Sequence, residues 1–274
     1  MSASQITESS VLLVKSNDAS LLTNNKIPLK QWCRISGILY TAIIACGICA
    51  EVGVRGRLIN FLSAEETASN IQSHAFQFRC TVLIELIMCC SDVGVAVLLS
   101  AILYNASTNG TGKNVISIAL MGIFRLIQTC IIACNLLHSF AASLILDPSF
   151  AVVTAAGTGL EGDGNLEGQD MAENLALLFL SIQKYGYTLA LVFFGMSLFF
   201  LGMIMIRRDV VLFPQMLGWS CIFAGFGYVL DAIMFFSWNG YDGTLSGYFM
   251  MPVFVAEFWL AGWLLLVKEP NISN

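Results

Sequence analysis

The sequence predicts an all-α membrane protein, a polytopic bundle of six transmembrane helices. Of its 274 residues, 57% are hydrophobic and only 11% are charged, and the mean hydropathy is +0.77. A soluble globular domain carries charge on about a quarter of its residues. Several apolar stretches also reach the length of about 20 residues that a helix needs to cross the hydrocarbon core. These observations make the lipid bilayer the expected partner of the chain.

The composition also excludes several classes of protein. Too few charged residues are present to cover the surface of a water-soluble enzyme or to keep a disordered chain solvated. The net charge of −5 and the isoelectric point near 5.0 exclude the basic footprint of a nucleic-acid-binding protein. We therefore expect no nucleic-acid partner.

Each predicted span contains at most two charged residues. A weaker helical segment at 171–185 is interpreted as the leading part of the fourth span, and a separate re-entrant element is the alternative. The six predicted spans are 35–54, 80–104, 115–146, 186–206, 211–236 and 248–267.

Polar segments flank and interrupt the spans. We predict a flexible polar tail at 1–30, a transmembrane domain at 31–268 and a C-terminal tail at 269–274. The segment 147–170 contains five acids, five glycines and no lysine or arginine, which predicts a mobile external loop.

The distribution of cations predicts the orientation. Cytoplasmic loops of membrane proteins are enriched in lysine and arginine. If the N-terminus is cytoplasmic, eight cations lie on that side and three on the other, so we expect both termini in the cytoplasm and a plasma or inner membrane location. The eight are Lys15, Lys26, Lys30, Arg34, Lys113, Arg207, Arg208 and Lys268, and the three are Arg55, Arg57 and Arg79.

Small residues predict close helix packing, because helices in lipid associate through tight contacts and hydrogen bonds. We expect packing within one chain, and a homo-oligomer formed through either stripe is the alternative. The first span carries Gly37, Thr41, Ala45, Cys49 and Gly53, and the fifth carries Ser220, Ala224, Gly225 and Gly227.

The nine cysteines are interpreted mainly as packing residues. Cys46 and Cys49 form a C-x-x-C pair that could exchange disulfides, but cysteines three residues apart pair poorly in a continuous helix. The two histidines, His74 and His138, lie far apart, and no spacing resembles a zinc site. We therefore expect no metal and no cofactor.

Three charged residues are predicted near the middle of the bilayer. A charge there costs about 2.5–3.5 kcal/mol on the insertion scale, so it persists where it faces the bundle interior, pairs or lines water. At about 1.5 Å per residue, Asp92, Arg125 and Glu257 lie about 18, 15 and 14 Å from one end of their spans. We expect the three to meet, with one acid holding a proton because one arginine cannot neutralise two carboxylates.

A second polar group is predicted toward the outer surface. Together with the central residues it would form a polar seam, with Gln128 and Asn135 on the same helix face as Arg125. This seam is interpreted either as a ligand pocket or ion path, or as buried pairs that fix helix register. The outer group consists of Glu51, Glu85 and Asp231 with Arg55, Arg57, Arg79 and His138.

A series of short motifs runs through the chain. They are Arg34-Ile-Ser-Gly37-Ile-Leu-Tyr40, Ala50-Glu51-Val-Gly-Val-Arg55-Gly-Arg57, Phe78-Arg79, Asp92, Phe124-Arg125-Leu126, Tyr185-Gly186-Tyr187, Phe193-Phe194-Gly195, Gly225-Phe-Gly-Tyr228 with Asp231, and Pro252 with Glu257. In order and spacing these motifs resemble the membrane family termed domain of unknown function 4386, over 34–267. The resemblance implies a six-helix membrane protein, mostly of bacterial type, and implies no activity.

Three functions are compatible with these features. The first is a permease for a small polar solute or an ion, which uses the central charges. The second is a non-catalytic sensor or assembly protein, in which 147–170 binds a partner. The third, an intramembrane enzyme, is the least favoured, because no Gly-x-Ser-x-Gly elbow and no His-Glu-x-x-His helix is present.

Overall fold

The computed structural model describes residues 29–107, 114–147, 165–207, 210, 212–238, 241 and 246–266. These residues form seven helices and no strand. Residues 1–28 of the tail predicted at 1–30, the whole tail predicted at 269–274 and most of the predicted loop lie outside the described residues. The helices are α1 Leu29–Ile48, extended by a π-helical segment Cys49–Arg55 and a turn Gly56–Leu58, α2 Ala64–Ser73, α3 Ala75–Ala106, α4 Val115–Ile145, α5 Asn165–Met205, α6 Gln215–Ser237 and α7 Ser246–Leu266.

Six of these helices are long and apolar enough to cross a membrane, which confirms the predicted all-α fold of six spans. All but α2 qualify, and α1 does so together with its extension. Large apolar side chains such as Ile38, Ile116 and Phe223 are exposed on the outside of the bundle, as lipid-facing residues are. The chain thus has the construction of an integral membrane protein.

The fourth span differs most from its predicted bounds. α5 contains 41 residues and would extend about 62 Å, twice the hydrocarbon thickness. The segment 171–185 is the leading part of this continuous helix and not a separate re-entrant element. Because α5 begins at Asn165, the last residues of the predicted loop are helical as well. Hydropathy locates the apolar half of such a helix but not the polar turns before it.

The six spans are arranged as a closed ring. Each spanning helix packs against the spans before and after it, and α7 packs against α1. Gly37 near the start of α1 faces Leu265 at the end of α7, so these two ends lie on one face of the bundle. We call this the terminal face. The opposite face, where the extension of α1 ends at Leu58 and α7 begins at Ser246, is called the distal face.

Glycines allow α5 and α6 to cross closely. A Cβ on Gly195 would lie 2.7 Å from the Gly225 carbonyl oxygen, and a Cβ on Gly225 would lie 2.5 Å from the Gly195 carbonyl oxygen. About two helical turns further on, a Cβ on Gly202 would overlap the Gly218 carbonyl oxygen, and a Cβ on Gly218 would lie 2.8 Å from the Ile206 side chain. For the fifth span, the predicted packing within one chain is therefore confirmed at Gly225.

The small-residue stripe of α1 is used differently. Its first member, Gly37, packs against α7. The other members are exposed, so the expectation that this stripe packs within the chain is wrong beyond its first residue. The reason is that α1 turns this face to the outside of the ring, where homo-oligomer formation stays a prediction. The exposed members are Thr41, Ala45, Cys49 and Gly53.

The short helix α2 was not predicted. The Ser63 hydroxyl accepts a hydrogen bond from the Glu66 backbone N–H at 3.1 Å, and Glu65 and Glu66 occupy the first turn. Serine followed three residues later by glutamate is a recognised helix start, so the signal was present in the sequence. α2 packs Ala68 and Ile71 against α5 at the distal face.

Candidate functional site

A buried polar stripe runs along α4. With about 3.6 residues per turn, its members fall within about a third of the helix circumference, so they share the face that α4 turns to the ring interior. From first to last they span 15 residues, or about 21 Å of helix length. The predicted polar seam therefore exists on this helix. Its members are Arg125, Gln128, Thr129, Asn135 and Ser139.

The innermost part of the stripe is an ion pair with α3. The Arg125 Nε and Nη2 atoms lie 2.7 and 2.6 Å from Asp92 Oδ1. Thr129 Oγ1 donates to Asp92 Oδ2 at 2.5 Å. Arg125 is 1% exposed and Asp92 is 3% exposed, so the expected contact between them is present and closed to solvent. A buried pair needs further hydrogen bonds, and Thr129 supplies one of them to the second carboxylate oxygen of Asp92.

Two aromatic rings enclose the guanidinium. Arg125 Cζ lies 4.9 Å from the Tyr40 ring centroid and 5.0 Å from the Phe194 ring centroid. The ring faces are electron-rich, so they stabilise a cation that has left water. Neither ring was predicted as part of the site. Both lie in the motifs that carry the family resemblance, at the end of the first motif and within Phe193-Phe194-Gly195.

Glu257 does not join the ion pair, and the expectation that all three charges meet is wrong. Its carboxylate accepts a hydrogen bond from the Tyr228 hydroxyl at 2.7 Å. The Tyr228 ring packs edge-on against Phe194, with centroids 5.3 Å apart. Depth along the bilayer was predicted, but position around the ring was not, and α7 packs mainly against α6 and α1.

The contacts connect these residues across the bundle. Every spanning helix contributes one of them, in an unbroken series from the acid on α3 to the acid on α7. We call this group the central cluster. In the order of contact it consists of Asp92, Arg125, Tyr40, Phe194, Tyr228 and Glu257.

A second group of charges lies toward the distal face. Arg55 bonds to Glu51 at 3.0 Å and to the buried carboxylate of Glu85. With the Gln183 amide turned to satisfy both of its polar atoms, its oxygen accepts from Arg55 Nη2 at 2.5 Å and its nitrogen donates to Ser139 Oγ at 3.1 Å. We call Glu51, Arg55, Glu85 and Gln183 the distal cluster.

A π-helical segment positions two members of the distal cluster. In Cys49–Arg55 the backbone is wider than an α-helix, and the Gly56 N–H donates to the Glu51 carbonyl oxygen five residues earlier. π-turns are rare and occur often at functional sites. Here the wide turn carries both Glu51 and Arg55 at the end of the first span.

A cavity of about 430 Å³ opens at the distal face beside this segment. Lys184 lies in it between two aromatic rings, with Nζ 4.6 Å from the Phe61 centroid and 5.7 Å from the Phe235 centroid. Across the cavity, the Tyr241 hydroxyl donates to the Asp231 carboxylate. Glu51, Arg55 and Gln183 line the cavity too, so it shares three residues with the distal cluster.

The matching family model covers residues 35–267, which include both clusters and the cavity, and its description is domain of unknown function (DUF4386). The chain belongs to the DUF4386 family. No curated protein and no solved structure matches the chain.

In this DUF4386 protein, the other predicted site residues lie apart from the clusters. Arg57 is exposed and forms no ion pair with any described residue. Arg79 pairs with Asp147 at 2.6 Å and joins α3 to the end of α4. His138 packs against Phe179, with ring centroids 6.1 Å apart, and does not reach Glu85.

The described part of this DUF4386 protein contains no group of three residues arranged to hold a metal ion. All nine cysteines lie in described segments, and none forms a disulfide. Cys46 is half-buried and Cys49 is exposed on the lipid side of α1. The polar chemistry that the structure assembles is therefore that of the two clusters and the cavity.

Proposed function

We propose that this DUF4386 protein is a permease for a small polar solute or an ion. The observation that carries the proposal is the cavity at the distal face, which shares Glu51, Arg55 and Gln183 with the distal cluster. Cavities of about 300–1000 Å³ are typical of small-molecule sites. An intramembrane charge is, by default, a sign of a substrate or ion path.

The two clusters divide the proposed path into an entrance and a barrier. The distal cluster and the cavity face solvent at one side, because Glu51 and Lys184 are exposed. The central cluster is closed, since Asp92 and Arg125 are almost completely buried. Passage therefore requires Phe194 and Tyr228 to move apart, and this conformation represents the occluded centre of the cycle.

Transport can be tested in proteoliposomes that contain the purified chain. They would be offered a ¹³C-labelled extract of small metabolites, with the internal content measured by mass spectrometry. We expect accumulation of at least one polar metabolite over empty liposomes, and a loss of it with Glu257→Gln, which keeps the size of the side chain. Glu65→Gln, which removes an exposed carboxylate outside the cavity, is the matched control.

Equal contents in protein-containing and empty liposomes would overturn the permease proposal. The second candidate, a non-catalytic membrane component, would then be favoured. The observation that favours it is the Asp92–Arg125 pair, which is buried and needs no ligand to neutralise it. In that case, deletion of 148–164 should remove a partner from a crosslinking experiment while the purified protein stays folded.

A further inference from the structure

The cavity at the distal face carries charges of both signs, and only some of them are neutralised by other side chains of the protein. Arg55 is held by two carboxylates, Glu51 and Glu85, and by the Gln183 amide. Its positive charge is therefore neutralised within the protein. The cation left for a ligand is Lys184, which is exposed and forms no ion pair with any described residue.

Lys184 is held in place without being neutralised. Its ammonium lies against the faces of Phe61 and Phe235, which restrict its position but add no negative charge. Phe61 belongs to the segment between α1 and α2, and Phe235 belongs to α6, so two separate elements hold it. An oriented, uncompensated ammonium is suited to bind an anionic group.

An acid faces the same cavity from another helix. Asp231 is 9% exposed, and its hydrogen bond from the neutral Tyr241 hydroxyl fixes the carboxylate without cancelling its charge. The cavity therefore offers one cation on α5 and one anion on α6, each oriented by aromatic neighbours. Tyr187 and Phe235 supply apolar surface in the same cavity.

From this juxtaposition we infer that the cavity binds a small zwitterion, with its anionic end at Lys184 and its ammonium end at Asp231. A simple anion would be repelled by Asp231, and a simple cation would be repelled by Lys184. A molecule with both charges satisfies both groups and places its apolar middle on the rings. This inference rests on the proposed function, because it names the substrate class of that cavity.

Two sources can supply this chemistry, a free amino-carboxylate and the headgroup of an ethanolamine lipid. Binding of 6-aminohexanoate and of glycerophosphoethanolamine to the full-length chain in detergent would be measured by titration calorimetry. Hexanoate and hexylamine, which each carry only one of the two charges, are the comparison ligands. We expect one of the two zwitterions to bind at least about tenfold more tightly than hexanoate and hexylamine. The zwitterion that binds more tightly identifies the source of the natural ligand.

Variants of Lys184 and Asp231 test which residue binds which end of the zwitterion. Lys184→Gln and Asp231→Asn should each weaken zwitterion binding about tenfold or more, and Lys184→Arg should retain it. Arg57→Gln and Glu65→Gln remove a cation and an acid outside the cavity and should leave binding unchanged. An unchanged thermal unfolding midpoint for every variant shows that lost binding is local.

Equal binding of hexanoate or hexylamine, absence of zwitterion binding, or zwitterion binding that survives both cavity variants would overturn this inference. These measurements need no transport. Metabolite flux without zwitterion binding would reject only the substrate class, and zwitterion binding without flux would reject only the permease.

Discussion

Arg125 is the largest side chain among the described residues that are almost completely buried, and it is charged. Its charge is neutralised by Asp92 and covered by Tyr40 and Phe194. A buried pair of this kind contributes little net stability relative to apolar residues, but the loss of one partner leaves an uncompensated charge. The two members of the pair should therefore respond to mutation as a unit.

We predict that Asp92→Leu destabilises the protein by about 3–5 kcal/mol, because Arg125 is left unpaired. The double variant Asp92→Leu with Arg125→Met should recover most of this loss. The measurement is the free energy of unfolding in mixed detergent and denaturant. A double variant that is less stable than Asp92→Leu alone would contradict the assignment.

The hydroxyl of Tyr228 is the only described donor to Glu257. We predict that Tyr228→Phe lowers the free energy of unfolding by about 1–3 kcal/mol, because the half-buried carboxylate loses its hydrogen bond while the ring still packs on Phe194. Tyr185→Phe, at an exposed tyrosine, is the matched control and should change little. Equal effects of the two changes would show that the Tyr228–Glu257 bond contributes no stability.

At the residue scale, sequence reasoning found the charges and missed their aromatic neighbours. Asp92 and Arg125 were predictable as a pair because depth along each span can be counted. The separation of Glu257 was not predictable, since it depends on the order of helices around the ring. Tyr40, Phe194 and Tyr228 resemble any apolar core residue until a cation or carboxylate is placed beside them.

At the scale of secondary-structure elements, the close crossing of α5 and α6 can be tested with a single substitution. We predict that Gly195→Ala destabilises the protein by about 1–3 kcal/mol, because the added methyl would meet the Gly225 backbone and the helices would have to separate. Gly262→Ala is the matched control, since a Cβ there meets nothing within 4 Å. Thermal unfolding in detergent compares the two, and equal midpoints would disprove close packing at Gly195.

Helix ends were less predictable than helix existence. Hydropathy reports apolar composition, so it located the six spans and the leading segment of the fourth at 171–185, but it did not detect α2 or the polar turns of α5 at 165–170. α6 starts at Gln215, directly after Pro214, whose extended backbone conformation places it outside the helix. The π-helical segment has no signal in the composition at all, because it depends on how α1 ends against α3.

At the scale of the whole molecule, each face of the ring carries an exposed residue that can report on which side of the membrane that face lies. Glu65 is exposed on α2 at the distal face, and Gln215 is exposed at the start of α6 on the terminal face. With both termini cytoplasmic, as the cation distribution predicts, we expect a membrane-impermeant maleimide to label Glu65→Cys in intact cells. Gln215→Cys should be labelled only after permeabilisation. The opposite pattern would invert the orientation.

The pairs in this ring also follow the order in which a ribosome would produce the spans. Arg55 and Glu85 join the first span to the second, Asp92 and Arg125 join the second to the third, and Tyr228 and Glu257 join the fifth to the sixth. In each of these three pairs, the two partners thus lie on spans that emerge one directly after the other. The chain can neutralise its charges stepwise during translation, without waiting for distant segments to arrive.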